Sequence, residues 1–334
     1  MNKWKALCAV VVTAGLAAVP AMAFADTPST DGADAIAAVV NQAAPAGGPQ
    51  LDVSKSDANY VGSTSTSVIA ISDTAGSAVS VTNTTSQRSL VVDIPAVTGG
   101  ATAAPAKDGT LTYDNTASPT AVAVQPFEQG VRISTILKDA TAPTEYSYRV
   151  HVPSGGSITR DSATGAVVVT SGDGKLIGGF APAWAKDATG SAVPTHYEVR
   201  GTVVVQVVET HAGGFAYPIV ADPYLGIDLI DHASWVHYSD GWTLQVYPTS
   251  WARAHAGSYL VGTFDWDELY TKYSNRGLNT NLNGMRDQLI CHQQFVALRN
   301  PGKASWNIDE WRPDVGYVQT VNASCNPGGP RWFD

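Results

Sequence analysis

The first candidate for chemistry is a cysteine beside a histidine, Cys291 and His292, in the stretch MRDQLICHQQF. A cysteine nucleophile needs an electropositive, partly exposed setting and a base that faces it. Adjacent residues of a helix point about 100° apart, so His292 is poorly placed to serve Cys291 as a base. We therefore do not interpret this pair as catalytic.

A second candidate set combines tryptophans with arginines and one carboxylate. Exposed, such residues would stack on sugar rings or anchor a protein partner. Buried, the rings would form a core and Arg312 would pair with a carboxylate in a turn. Both interpretations stay open, with core packing favoured for Trp266 and Trp306. The candidate ligand-binding residues are Trp251, Arg253, Trp306, Trp311, Arg312 and Asp314.

Carboxylates also cluster toward the C-terminus and could act as the acid pair of a glycosidase, but helix capping and turn formation explain them. The histidines of the same part could bind a metal, but they form no short metal-ligand motif. Phosphate-binding, nucleophile-elbow and calcium-loop motifs are absent from the sequence. We predict no catalytic residue, no metal and no cofactor, and we leave enzymatic activity open while favouring its absence. The groups concerned are Asp265, Asp267, Glu268, Asp309, Glu310 and Asp314, and His232, His237, His255 and His292.

The first 25 residues have the order of a secretory signal peptide. Lys3 and Lys5 precede an apolar run, and Ala23-Phe24-Ala25 offers small residues for cleavage. The apolar run is shorter than the roughly 20 residues of a membrane-spanning helix, so we expect export with no transmembrane anchor after cleavage. The chain of 334 residues has a formal net charge of −9, which disfavours nucleic acid as a partner.

Three cysteines occur, and Cys8 would leave with the signal peptide. In an exported protein the remaining pair, Cys291 and Cys325, is interpreted first as a disulfide. It would close a loop of about 35 residues, worth roughly 3 to 4 kcal/mol on the chain-entropy model.

The pattern after the signal peptide predicts three further parts. Residues 26–60 are rich in small and polar residues, which predicts a disordered leader with at most a short helix. Residues 61–223 hold short β-branched runs at spacings of about a dozen residues, typical of an all-β sandwich-like domain. Pro218 and Pro223 favour an edge strand and an exit from that domain. Residues 224–334 contain seven of the nine tryptophans and predict a small α+β domain.

Within the C-terminal part, Asp240-Gly241 predicts the turn of a hairpin. Asp265 followed by Glu268 has the spacing of a capping box and predicts the start of a helix. A longer helix is predicted over residues 282–298, with Cys291 on its apolar face, followed by a loop and one or two closing strands.

Five blocks in order resemble a domain of unknown function at the C-terminus of secreted actinobacterial proteins: PTSWAR, WDEL, NGMRDQLICHQQF, WNIDEWRPDV and CNP. The resemblance spans about residues 235–327. It implies export and a compact domain with two cysteines, to which Cys291 and Cys325 correspond, and it implies no activity. The upstream block ending YPIVADP is similar to a β-rich region of secreted proteins from the same bacteria.

These observations predict an uncharacterised secreted protein, extracellular or associated with the cell envelope, that binds a cell-wall glycan or a surface protein through its Trp-rich part. The alternative is a secreted effector or cell-wall hydrolase that uses carboxylates of the same part. Ala substitution of Asp267, Glu268, Asp309 and Asp314 would distinguish the two, because a binder would tolerate changes that abolish turnover.

Overall fold

The structure is a computed structural model that describes residues 30–209 and 213–329. The expected signal peptide, residues 1–25, lies outside the described residues and stays a prediction. Within those two ranges, no helix combines the length and the apolar composition needed to cross a membrane.

Strands dominate the chain up to residue 248 and helices dominate after it. The strands are β1 (Ser54–Ser56), β2 (Asn59–Ser63), β3 (Ser67–Ser72), β4 (Ala78–Asn83), β5 (Ser89–Asp93), β6 (Ala103–Pro105), β7 (Leu111–Tyr113), β8 (Thr120–Phe127), β9 (Gly130–Leu137), β10 (Glu145–Arg149), β11 (Ser157–Arg160), β12 (Val167–Thr170), β13 (Leu176–Phe180), β14 (Trp184–Lys186), β15 (Thr195–Arg200), β16 (Val203–Val208), β17 (Ile219–Asp222), β18 (Tyr224–Gly226), β19 (Ile230–Tyr238), β20 (Gly241–Pro248) and β21 (Trp306–Asp309). The helices are α1 (Thr30–Ala43), α2 (Ser250–Ala254), α3 (Tyr259–Tyr273), α4 (Leu282–Cys291), α5 (Ala297–Arg299) and α6 (Tyr317–Asn322).

Three antiparallel sheets enclose the core of the N-terminal region. Strands β1 to β5 form one sheet, β10, β16 and β15 form a second, and the third is centred on the hairpin β8–β9. Alternation determines which side chains face inward: in β10, Tyr146 and Tyr148 are buried while their neighbours are exposed. The core draws on all three sheets, for example through Ile69, Ile133 and Tyr148. The predicted fold class, a β-rich sandwich-like region followed by a smaller α+β part, is confirmed.

The strand before the predicted boundary is an interior strand, so our edge-strand prediction is wrong. Strand β17 pairs with β9 and β14, and β18 pairs with β9 and β13. Pro218 and Pro223 stand outside these two strands, where their missing N–H groups break no pairing. The boundary near residue 223 itself remains a prediction.

The segment that we interpreted as a disordered leader, residues 26–60, is ordered from Thr30 onward. Helix α1 buries Ile36 and Val40 against the side chains of Ala121, Ile136 and Val220 on the large sheet. The apolar positions are four apart and so share one helix face. The apolar face of α1 was difficult to recognise in the sequence, because part of it consists of the small residues Ala33 and Ala37.

The C-terminal part is a three-stranded sheet packed against helices. The hairpin β19–β20 turns at the predicted Asp240-Gly241 position, and β21 adds to β20. Helix α3 begins at Tyr259 with Ser258 as its N-cap. Asp265 lies inside this helix and is fully buried. Our prediction that Asp265 starts the helix is wrong. A single π-helical turn (His292–Val296) joins α4 to α5, and α6 follows β21 where only strands were predicted.

The N-terminal and C-terminal parts share one apolar cluster. Phe127, Val168 and Tyr224 of the β-rich region pack in the same core as Trp251 and Trp306. The two parts approach each other tightly at Gly226, where an added methyl group would overlap the ring of Trp251.

We expect Gly226→Ala to lower the free energy of unfolding by about 1–3 kcal/mol, because an added methyl in a packed core forces its neighbours apart. Chemical denaturation followed by Trp fluorescence measures this change. Gly302→Ala is the control, since no atom lies within 4 Å of its added Cβ and its effect should stay within about 0.5 kcal/mol. Equal effects of the two substitutions would contradict the packing argument.

Candidate functional site

Cys291 and Cys325 form the predicted disulfide. Their sulfur atoms are at bonding distance and their Cα atoms are 5.5 Å apart. Both residues are buried, and the bridge ties α4 to the segment after α6. A cysteine sulfur in a disulfide has no free thiolate and is not a nucleophile.

His292 does not face a reactive group either. It is buried, and its Nδ1–H donates to the carbonyl oxygen of Gln288 at 2.8 Å. Burial lowers the pKa of His292 to about 4, so the ring is neutral at physiological pH. Within the described residues, no three His, Cys, Asp or Glu side chains gather where they would hold a metal ion.

Two of the candidate tryptophans belong to the core. Trp251 and Trp306 are both 0% exposed. Trp251 lies edge-on against the ring of His255, with ring centroids 4.5 Å apart, and Trp306 pairs with Val246 in the sheet. Neither ring reaches solvent, so the interpretation of these two residues as ligand contacts is wrong.

The candidate arginines make structural contacts. Arg312 is 3% exposed and donates from Nε to Asp309 at 2.5 Å and from Nη1 to the carbonyl oxygen of Gly329 at 2.6 Å. Its guanidinium also lies over the ring of Trp311, 4.4 Å from the centroid. Arg253 is partly exposed, but it donates to the carbonyl oxygen of Ala304 at 2.7 Å. Because Arg312 is buried, the prediction that it contacts a ligand is wrong.

The candidate carboxylates divide in the same way. Asp309 is buried and accepts from Thr243 and Arg312. Glu268 is buried and accepts from the backbone N–H groups of Leu229 and Ile230. Asp314 is the only exposed residue of the candidate ligand-binding set, and it accepts a hydrogen bond from the N–H of Gly316 at 3.2 Å.

Asp314 belongs to a surface that the sequence alone did not predict. We name it the Tyr317 patch and define it as Tyr259, Asp287, Gln294, Asp314, Val315, Tyr317 and Val318. The rings of Tyr259 and Tyr317 meet edge to face with centroids 5.1 Å apart, and the Tyr317 hydroxyl donates to the Gln294 side-chain oxygen. Tyr259 and Val315 are each 40% exposed and Val318 is 68% exposed.

Asp287 is the buried carboxylate of the Tyr317 patch. It is 7% exposed, and its nearest cation is the guanidinium of Arg286 at 3.6 Å. Burial raises the pKa of Asp287, the charge of Asp314 raises it further, and Arg286 opposes both. Burial, with the nearby Tyr259 and Asp287, raises the pKa of Tyr317 to about 12.

Part of the Tyr317 patch could have been predicted from the disulfide. Asp287 and Cys291 are four residues apart and so share one face of α4. A bond from Cys291 to Cys325 brings the segment around Asp314 and Tyr317 against that face. Tyr259 had no comparable signal, because its position depends on how α3 packs on α4.

Comparison with known proteins places the C-terminal part in a family. Residues 230–328 match the family model described as a protein of unknown function, DUF2599. Uncharacterized proteins of Mycobacterium tuberculosis and Mycobacterium bovis are each 35% identical over 102 residues, which is 30% of this chain and 68% of the relative. An uncharacterized protein of Mycobacterium leprae is 29% identical over 108 residues, 32% of this chain and 85% of the relative.

These matches confirm the resemblance to actinobacterial proteins with a C-terminal domain of unknown function. The family match begins at the start of β19 and ends after Cys325, so it includes the Tyr317 patch and the disulfide. Through residues 230–328, the chain belongs to the DUF2599 family of proteins of unknown function.

Proposed function

We propose that this chain is an exported, envelope-associated protein that binds a cell-wall glycan on the Tyr317 patch. The observation that carries the proposal is the contact of exposed Tyr259 with half-buried Tyr317, close to exposed Asp314 and buried Asp287. A sugar presents C–H groups to an aromatic face and hydroxyl groups to carboxylate and amide oxygens.

Export is supported by the signal-peptide pattern of residues 1–25 and by the disulfide, since disulfides persist in oxidising compartments. The buried position of Asp287 also supports binding. A carboxylate that is 7% exposed and hydrogen-bonds to no other group among the described residues gains by accepting a ligand hydroxyl. The acidic character of the chain favours a neutral glycan over an anionic one.

The test is binding of the secreted full chain to an array that carries peptidoglycan fragments and neutral oligosaccharides. We expect Tyr259→Ala and Asp314→Ala each to weaken binding about tenfold, the effect of losing roughly 1.4 kcal/mol at an interface. Tyr270→Ala is the matched control. It removes the same side chain from the same helix at a similar exposure, 42% against 40%, about 16 Å along the axis.

Glycan binding with unchanged affinity in Tyr259→Ala, or an equal loss in Tyr270→Ala, would refute the assignment to this patch. Retention of a surface protein with no glycan signal would favour a protein ligand instead.

A specific observation also favours a second candidate, glycoside hydrolysis. The raised pKa of Asp287 suits a general acid, and Asp314 supplies a second carboxylate nearby. Release of reducing sugar from a bound glycan, lost in Asp287→Asn while binding persists, would identify this activity. Binding without release would support the binding protein alone.

A further inference from the structure

A polar cavity of about 130 Å³ is lined by the end of α1, the segment that follows it and the hairpin β8–β9, and it shares no residue with the Tyr317 patch. Its wall includes Asn41 at the end of that helix and Ala46 and Gln50 in the segment after it. The opposite wall is formed by Gln125, Phe127 and Arg132 of the hairpin β8–β9.

Arg132 is the charged group of this cavity. It is 4% exposed, and its guanidinium lies between the rings of Phe127 and Tyr224, 5.2 Å and 5.7 Å from their centroids. Its Nη1 donates to Gln125 at 3.2 Å and its Nη2 donates to the carbonyl oxygen of Pro45 at 2.6 Å. Each of these nitrogens carries two hydrogens, so one N–H of each is not used in these two bonds.

The ion pair of this cation is long and has no hydrogen bond. The nearest carboxylate is Asp222, with its Oδ2 3.6 Å from the Arg132 Nε and no hydrogen bond between them. Burial raises the pKa of Asp222 against the lowering effect of Arg132, so burial opposes the charged form of this carboxyl. Burial lowers the pKa of Arg132, but a guanidinium stays protonated in proteins.

The remaining wall provides one further donor and an apolar surface. Gln125 donates to Asn41 at 2.8 Å and Asn41 donates to Asp108 at 2.8 Å, so both of these amides are occupied. The Gln50 side-chain amide makes no hydrogen bond to any residue of 30–209 or 213–329 and is solvent-exposed at the mouth. Phe127 and Ala46 present carbon atoms to the cavity.

We propose that this cavity binds a small organic monocarboxylate, with its carboxylate on Arg132 and Gln50 and its apolar end against Phe127. The fork of a guanidinium matches the two oxygens of a carboxylate. A cavity of about 150 Å³ holds benzene, so 130 Å³ admits an acid of about five or six heavy atoms, such as propionate. The site is independent of glycan binding.

The test is thermal unfolding of the secreted full chain in sodium propionate against sodium chloride at equal ionic strength. We expect a saturable rise of Tm with propionate, and saturation-transfer NMR should show contact with its methyl group. Gln50→Ala should weaken the affinity about tenfold, the effect of losing one hydrogen bond to a charged group. Ala46→Phe, which fills the mouth, should abolish binding.

Gln42→Ala is the control, because Gln42 is an exposed amide near the end of α1 that does not line the cavity. Arg132→Lys should also abolish binding, and since Arg132 holds Pro45 as well, the Gln50 and Ala46 variants decide the outcome if this variant unfolds. The proposal fails if propionate and chloride act alike, if Gln42→Ala matches Gln50→Ala, or if inorganic phosphate stabilises the chain in preference to propionate.

Discussion

Removal of the disulfide by Cys291→Ala with Cys325→Ala is expected to lower the free energy of unfolding by roughly 3–4 kcal/mol. The bond joins residues 34 apart in sequence, and without it the unfolded chain recovers the entropy of an unclosed loop. Both sulfurs are buried, so two small cavities add to the loss. Urea denaturation of the purified chain under oxidising conditions measures the change.

Reduction separates the effect of the cross-link from the effect of the cavities. Dithiothreitol should destabilise the natural chain by the contribution of the cross-link alone, less than the double substitution does, and should leave the double variant unchanged. It should also weaken glycan binding, because the bond holds the segment of Tyr317 against the helix of Asp287. A natural chain with the same midpoint in the presence and absence of reductant would contradict the predicted stabilisation.

Local patterns were sufficient for the features that depend on neighbouring residues. The alternation around Tyr146 and Tyr148 and the turn at Asp240-Gly241 are both as predicted. Cys291 lies on the inward face of its helix, and the only other cysteine beyond the expected signal peptide is its partner. These predictions succeed because the period of a strand or helix fixes which side chains share a face.

The predictions that failed required knowledge of tertiary packing. Asp265 has the spacing of a capping residue, but Ser258 caps the helix about two turns earlier by accepting from the N–H of Val261. Trp251 and Trp306 are residue types typical of a ligand-binding surface, yet both are fully buried in the core that the β-rich region and the C-terminal part share. A spacing rule identifies a possible role for a residue, whereas burial selects among the roles.

The Tyr317 patch shows the same limit from the other direction. Its members come from α3, α4 and the segment around α6, which are separated by as many as 59 positions between Tyr259 and Val318. Only the members from Asp314 to Val318 are close together in the sequence, and the contacts of these residues with Tyr259 and Asp287 are long-range. The disulfide was the one predicted contact that connected two of the three, so covalent geometry carried the available long-range information.

A partly buried charge cluster joins the β-rich region to the DUF2599 part, and the buried Glu268 is its centre. Its Oε1 accepts from Lys272 at 2.7 Å and from the Ile230 N–H at 3.0 Å, and its Oε2 accepts from the Leu229 N–H at 3.1 Å. Arg88 of the β-rich region lies 3.5 Å from Oε2 and 2.6 Å from Asp228. One carboxylate thus satisfies two backbone donors and two cations.

We expect Glu268→Ala to lower the free energy of unfolding by about 2–4 kcal/mol, mainly because two buried backbone N–H groups lose their acceptor. The substitution leaves the N–H groups of Leu229 and Ile230 without an acceptor and Lys272 without its helical partner, so desolvated donors remain in the interior. Urea denaturation measures the loss. Asp267→Ala is the matched control, because it removes an exposed carboxylate from the adjacent position of the same helix.

Glu268→Gln distinguishes hydrogen bonding from charge at this position. Glutamine keeps one acceptor oxygen but turns an amide toward two of the four donors, so it should recover only part of the stability. Unfolding in two separate transitions would further show that the cluster couples the β-rich region to the DUF2599 part, since Arg88 and Glu268 lie on opposite sides of the junction. If Glu268→Ala is as stable as Asp267→Ala, solvent replaces the carboxylate without a cost in stability. The apolar cluster alone would then hold the two parts together.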